Sequence, residues 1–343
     1  MSTLIGGALK PARVVVAPDK FRGTASASEA AKAMAEGIRE LGIAVIERPL
    51  ADGGDGTLDA FGGGNRRSEV TGPLGAPVIA EWRFDGDTAI IEMARSSGIA
   101  LVGGPAHNDP LHATTRGTGE LIGDAISSGA RRIIVGVGGS ATTDGGLGAI
   151  DALAHRRFAA DNVTVEVACD VTTPFLEAAR VYAPQKGADE SAVLELSARL
   201  RRLANRYRDE FGVDVAEAPY AGAAGGLAGG LLALGASLRG GFDLIADAVA
   251  FDAALEDAGL VVTGEGRLDA TSFEGKVVGG VLARCELAGV PLVIVAGAVA
   301  PVDLPVQVET ISLIERFGER RAFAETATCL REAVRSIVQS RYG

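Results

Sequence analysis

Aromatic residues are scarce in this chain, at 5% of 343 residues with a single tryptophan. Histidine and cysteine number only three each. Cys169, Cys285 and Cys329 are spaced for neither a zinc site nor a disulfide framework. They read as free buried thiols, which suit the reducing cytoplasm. His107, His112 and His155 fall in no ligand pattern and read as surface or hydrogen-bonded polar residues. A basic excess is also missing. The formal charge of −11 excludes a general nucleic-acid binder, which needs a cationic face to meet phosphates. Residues 1–20 have no charged segment followed by an apolar one of signal type, so no secretory leader is expected. Residues 218–238 carry no charge over a length that could span a bilayer. Their six glycines and small alanines predict a close-packed buried helix and no membrane partner.

What the chain has is glycine, at 47 residues, and an apolar share of 47%. That composition supports a packed core, and the length suggests two domains. Residues 13–17 (RVVVA) read as a buried strand. Ser26 and Glu29 form a capping box, and Ala27, Ala30, Ala31, Met34, Ile38 and Leu41 then recur at helical spacing. Residues 44–50 read as a second strand, so the chain opens β-α-β. Further strands are predicted over 88–93, 131–136, 163–169, 260–263 and 291–296. Helices are predicted over 119–128, 192–211 and 276–287, and Phe323, Ala327, Leu330, Val334 and Ile337 mark a terminal amphipathic helix. Strands alternating with helices define an α/β fold with largely parallel sheets. In such folds ligands collect at the carboxyl ends of the strands.

Lysine is rationed. There are five, against 28 arginines, and three sit in loops: Pro-Asp-Lys20-Phe, Gln-Lys186-Gly and Gly-Lys276-Val. A compact ammonium there suits phosphate as a point charge; the alternative is chance placement of exposed lysines. Five loops after strands combine glycine with hydroxyls or carboxylates: 52–57, 96–98, 136–146, 170–173 and 264–269. Glycine lets backbone amides converge on an oxyanion, and carboxylates can hold Mg²⁺. No Walker A motif is present. Gly136-Val-Gly-Gly-Ser-Ala141 matches the dinucleotide fingerprint in loose form, but the following Thr142-Thr-Asp-Gly-Gly146 is too polar and flexible for its helix. Ser140 has no histidine partner in its motif and is no nucleophile elbow.

Taken together the loops resemble a known family. Ala17-Pro-Asp-Lys-Phe-Arg22, Ala51-Asp-Gly-Gly-Asp-Gly-Thr57, Ile91-Glu-Met-Ala94, Thr115-Arg-Gly-Thr-Gly-Glu-Leu121, Gly138-Gly-Ser-Ala-Thr-Thr-Asp-Gly-Gly146, Val167-Ala-Cys-Asp170, Pro184-Gln-Lys-Gly-Ala188, Gly222-Ala-Ala-Gly-Gly-Leu227 and Thr263-Gly-Glu-Gly-Arg-Leu-Asp269 resemble the glycerate kinase type 1 family, in order, over residues 13–300. The resemblance implies ATP- and Mg²⁺-dependent phosphorylation of D-glycerate, to 2-phosphoglycerate ahead of 3-phosphoglycerate. It also implies a discontinuous Rossmann-like domain, residues 12–70 plus 250–343. A second α/β domain, 71–249, is inserted into it, with the active-site cleft between them. The chain departs from the family at Asp55, where the family has Glu, and at Thr143, often Asn. The segment between Ala154 and Val163 is short, and a Gly-x-x-Gly insert is missing between Asp170 and Pro184.

Residue type and placement, at positions that the resemblance marks, suggest roles. Lys20 and Lys186 would neutralise the transferring phosphate or the substrate carboxylate. Asp170, at a strand end, would be the base for the glycerate hydroxyl, with Asp144 and Asp19 as its competitors. Asp52 and Asp55 are candidate Mg²⁺ ligands, and Glu265 a weaker one. Gly138, Gly139, Ser140, Thr142, Asp144 and Gly145 would cradle anionic oxygens. Asp19, Gly53, Gly54, Thr57, Ser96, Thr118, Gln185, Gly264, Glu265 and Arg267 complete the expected substrate and nucleotide contacts. Monomer and homodimer both stay open. So do a kinase for a related hydroxy acid, a non-catalytic nucleotide- or organic-acid-binding relative, and an oxidoreductase built on 136–141.

Overall fold

The computed structural model describes residues 13–301 and 308–342. Residues 1–12, 302–307 and 343 lie outside it, and with them Lys10, the first residue of the expected first domain and most of the segment read for a leader. In chain order the described strands are β1 (Arg13–Val16), β2 (Ala44–Glu47), β3 (Arg66–Thr71), β4 (Pro77–Asp85), β5 (Thr88–Glu92), β6 (Arg132–Gly136), β7 (Thr164–Cys169), β8 (Ser237–Gly240), β9 (Leu260–Leu268), β10 (Leu292–Val299) and β11 (Glu309–Ser312). They form two sheets in two compact units that divide at Ala51/Asp52 and at Leu244/Ile245. The boundary expected near residue 70 therefore comes earlier, because β3 belongs to the second sheet.

The first unit holds a five-stranded sheet in the order β11-β10-β9-β1-β2, parallel throughout. Its central strands open as buried runs of Val, Ile and Leu, as a sheet covered on both sides requires. The Ala27–Arg39 helix starts at the expected capping box: Glu29 N donates to Ser26 Oγ, and Ser26 N to a Glu29 carboxylate oxygen. Its buried stripe of Ala27, Ala30, Ala31, Met34 and Ile38 meets Leu330, Val334 and Val338 of the Thr326–Tyr342 helix. Phe323 and Ala327 are not part of that stripe. Phe323 lies in a separate short helix, 57% exposed, and Ala327 faces solvent.

The second unit holds a six-stranded sheet in the order β3-β4-β5-β6-β7-β8. The hairpin β3–β4 is antiparallel and extends the parallel run β5 to β8. The register aligns Glu92 with Gly136, Gly136 with Ala168, and Cys169 with Gly240. Four strands thus end on one edge, and the loops after β5, β6 and β7 leave from it. Residues 218–238, expected as one buried helix, fold as a turn, a 3-10 segment, the seven-residue Leu227–Ala233 helix and β8. The stretch is too rich in glycine to stay helical. Among the described residues no helix is long and apolar enough to cross a membrane. The connection from 153 to 163 is tight: Ala154, His155 and Asn162 all take positive φ.

Where the two helices of the first unit cross, a Cβ on Gly37 would lie 2.3 Å from the Arg331 carbonyl oxygen. In the Arg116–Ser127 helix, a Cβ on Gly123 meets nothing within 4 Å. Alanine at either site raises helix propensity by about 0.5–1 kcal/mol. At Gly37 the overpacking cost of about 1–3 kcal/mol outweighs that gain. Gly123→Ala should therefore raise the urea midpoint and Gly37→Ala lower it.

Candidate active site

In the second unit, a cavity of about 270 Å³ opens at the carboxyl edge of the parallel strands, lined by Gly138, Gly139, Ser140, Asp170, Val171, Tyr182, Gln185 and Lys186. Lys186 ends a 3-10 turn, Pro184–Lys186, and only 4% of it is exposed. Its ammonium donates to Ser140 Oγ and to the Thr142 carbonyl, each at 2.7 Å. Asn108 ties the same two segments together, donating to the carbonyls of Ala141 and Lys186 at 2.9 and 2.8 Å. Burial pushes the Lys186 pKa down from 10.5 to about 7, against the pull of the Asp144 carboxylate. Asp170 follows β7 directly, stands exposed at the cavity rim, and with burial pushes the Cys169 thiol up. Gln185 is exposed beside it.

Several residues expected to touch ligand make hydrogen bonds within the fold. Asp144 accepts from Thr115 N, Thr115 Oγ1, Gly146 N and Gly148 N, at 2.8, 2.9, 3.0 and 3.2 Å. A carboxylate so engaged fixes its loop. Thr118 shares its buried hydroxyl with Ser96 and Ser97 at 3.0 Å each. Thr57 Oγ1 donates to the Gly54 carbonyl, Thr142 Oγ1 to that of Ala224, and the Gly145 amide to that of Gly225.

The 52–57 loop lies against the 136–140 loop. A Cβ on Gly138 would stand 2.3 Å from the Gly54 Cα, and the Gly138 amide donates to the Gly53 carbonyl. Glycine at 138 is there for this close approach of two backbones. Asp52 Oδ1 accepts from the Gly54 amide, and Asp55 is exposed. Both carboxylates suit a hard cation, although among the described residues no three His, Cys, Asp or Glu are grouped to hold a metal. Mg²⁺ commonly binds through one or two carboxylates plus phosphates and water, so these donors fit it. Sequence reasoning missed Glu92. It ends β5 fully buried and accepts from Gly56 N at 2.7 Å and Arg95 Nε at 3.3 Å. Burial raises its pKa, opposed by Arg95 and the Gly56 amide. The signal was a carboxylate closing an otherwise apolar strand.

The first unit has its own edge cluster. Asp19 accepts from the Lys20 amide at 2.7 Å, and the Lys20 ammonium lies 3.9 Å from the same oxygen. Gly264, Glu265 and Arg267, read as a loop, prolong β9 opposite Val295, Ala296 and Ala298 of β10. One oxygen of Glu265 is buried with no hydrogen-bond partner. Its pKa rises to about 7 through burial, with Asp19 pushing the same way. Arg267 is exposed, 3.9 Å from Asp269. The cysteines are free and buried, and each histidine contacts a backbone carbonyl or an exposed carboxylate.

An α/β frame with a glycine-walled cavity at its strand ends, lined by one lysine and one aspartate, is a usual setting for a ligand site. The glycerate kinase family model matches residues 14–162 and 154–341, and the chain belongs to the glycerate kinase family. It is 40% identical over 326 residues to the glycerate 2-kinase of Escherichia coli K12, covering 83% of this chain and 85% of that one. It is 39% identical over 327 residues to the glycerate kinase of Bacillus subtilis 168, covering 84% and 85%. A crystal structure of a Salmonella typhimurium LT2 protein, provisionally named glycerate kinase 2, superposes with a TM-score of 0.81 at 34% identity, over 96% of this chain and 98% of that one. The two matched ranges overlap at residues 154–162, within the connection between the Leu147–Ala152 helix and β7.

Replacing the buried Lys186 with alanine bears on stability as well as on the cavity. The change leaves a void and strands two buried oxygens, at a cost of about 2–4 kcal/mol, so the melting temperature should fall by several degrees. The pH dependence has a definite sign. Between about 7 and 10.5 the unfolded chain binds more protons at this residue than the folded one, so its contribution to stability rises with pH over that window and is poorest below it. The melting temperature of the native chain minus that of Lys186→Met should therefore increase from pH 7 to pH 9.

Proposed function

We propose that this chain transfers the γ-phosphoryl group of ATP to D-glycerate to give 2-phosphoglycerate, as a member of the type 1 branch of its family. The observation that carries the reading is the buried Lys186 beneath a cavity walled by Gly138, Gly139 and Ser140. A desolvated cation beside peptide dipoles favours a carboxylate or phosphate over neutral ligands. The name of the Escherichia coli relative, glycerate 2-kinase, supports the 2-phospho product. Three free buried thiols support a cytoplasmic location.

Phosphoryl transfer asks the protein mainly for positioning and charge stabilisation. Asp170, at the cavity rim, takes the proton of the glycerate hydroxyl. That oxygen bonds to the γ-phosphorus as the bond to the bridging oxygen of ADP breaks, and ADP leaves. Asp52 and Asp55 would hold Mg²⁺, which would screen the phosphate charge. A second reading, a related small hydroxy acid as acceptor, is favoured by one observation. Val171 and Tyr182, which wall the cavity, flank the segment from which the family insert is missing.

ADP release in a coupled assay should depend on D-glycerate, and a faster rate with another hydroxy acid would favour the second reading. Asp170→Asn should lower kcat by about 10²–10⁴-fold, the usual scale for a lost general base, with glycerate binding largely kept. Retention of kcat within a few-fold would remove Asp170 from the role. NAD(P) should give no fluorescence change on mixing.

A further inference from the structure

Glu92 is a carboxylate with none of its surface exposed, at the end of an apolar strand. A buried charge is tolerated only where it is paired and hydrogen-bonded, and both of its oxygens are. One accepts the Gly56 amide at 2.7 Å, a charge-assisted bond. The other accepts Arg95 Nε at 3.3 Å. Gly56, at φ +93°, is the left-handed residue that caps the short Thr57–Ala60 helix, and it directly follows Asp55. The same loop is fixed at its other end, where Gly53 and Gly54 meet Gly138. Asp55 therefore stands between two anchors: a glycine contact to the loop that lines the cavity, and a buried carboxylate on the strand end. Arg95 contributes to both sides, pairing with Glu92 and lying in the field of Asp55 and Asp59.

We infer that Glu92 is a positioning residue for phosphoryl transfer: its carboxylate holds the Gly56 amide and thereby fixes Asp55 where it can serve a phosphate-bound divalent cation. The inference rests on the kinase reading above. Glutamine at 92 keeps the length and one acceptor for Gly56 but loses the charge and the Arg95 pair. Aspartate keeps the charge but falls one methylene short of Gly56.

The test measures three things on the full-length chain, native and as Glu92→Gln and Glu92→Asp. They are hydrogen exchange over 52–57, the Mg²⁺ concentration giving half-maximal rate, and the split between kcat and the KM for glycerate. Exchange at the Gly56 amide should speed up at least about 10-fold in Glu92→Asp, and less in Glu92→Gln. The half-maximal Mg²⁺ concentration should rise, and kcat should fall by about 10–100-fold, the scale of an ångström of misplacement, while the KM for glycerate stays within two-fold. A variant that melts lower but keeps the native Mg²⁺ requirement and kcat would overturn the inference and leave Glu92 purely structural. So would unchanged exchange at Gly56. If the native chain does not consume ATP with any small hydroxy acid, it is the kinase reading that fails; the exchange measurement still reports whether Glu92 holds the loop.

Discussion

The hydrogen bonds from the buried Lys186 ammonium to Ser140 and Thr142 organise the candidate site. Loop 137–146 leaves a strand end and would be free to swing. The lysine holds it from one side and Asp144 gathers four donors from the other. The two charged residues are close enough for the carboxylate to oppose the loss of the lysine's proton. A cation held this way is oriented before any ligand arrives. Its neighbours on the cavity wall, Ser140 and the Gly138–Gly139 backbone, are held in register with it by the same bonds.

The sequence showed where strands end, because a polar glycine-rich loop after an apolar run marks a strand end whatever the tertiary detail. Strands β1, β5, β6, β7 and β10 and the Ser26 capping box were legible for the same local reasons. The use of particular side chains was not. Ser96, Thr118, Thr142 and Asp144 look like ligand contacts in one dimension, but partners far along the chain engage their oxygens. Likewise Gly138 reads as an amide that points at an oxyanion, whereas its bare Cα is what lets a second loop lie against it.

What stayed hidden depended on pairing. β3 and β4 carry arginines and glutamates on an exposed face, and their apolar alternation is weak until each strand lies beside the other. Residues 264–268 read as a loop because glycine and charge interrupt the pattern, yet they extend β9 because β10 offers a partner over its whole length. Glu92 closes an apolar strand in the sequence, but its partners, the Gly56 amide and Arg95, meet it only in the fold.

The order of strands in the first sheet bears on how the molecule is made. β1 and β2 leave the ribosome early, but β1 pairs with β9, Val14 beside Leu260, after the whole Asp52–Leu244 unit has intervened. The second sheet draws all its strands from one uninterrupted stretch and can close as soon as β8 emerges. During synthesis, then, the middle of the chain finishes first, and the earliest residues wait with one sheet edge unpaired. Apolar strands waiting in that state are the hazard that chaperones exist to cover.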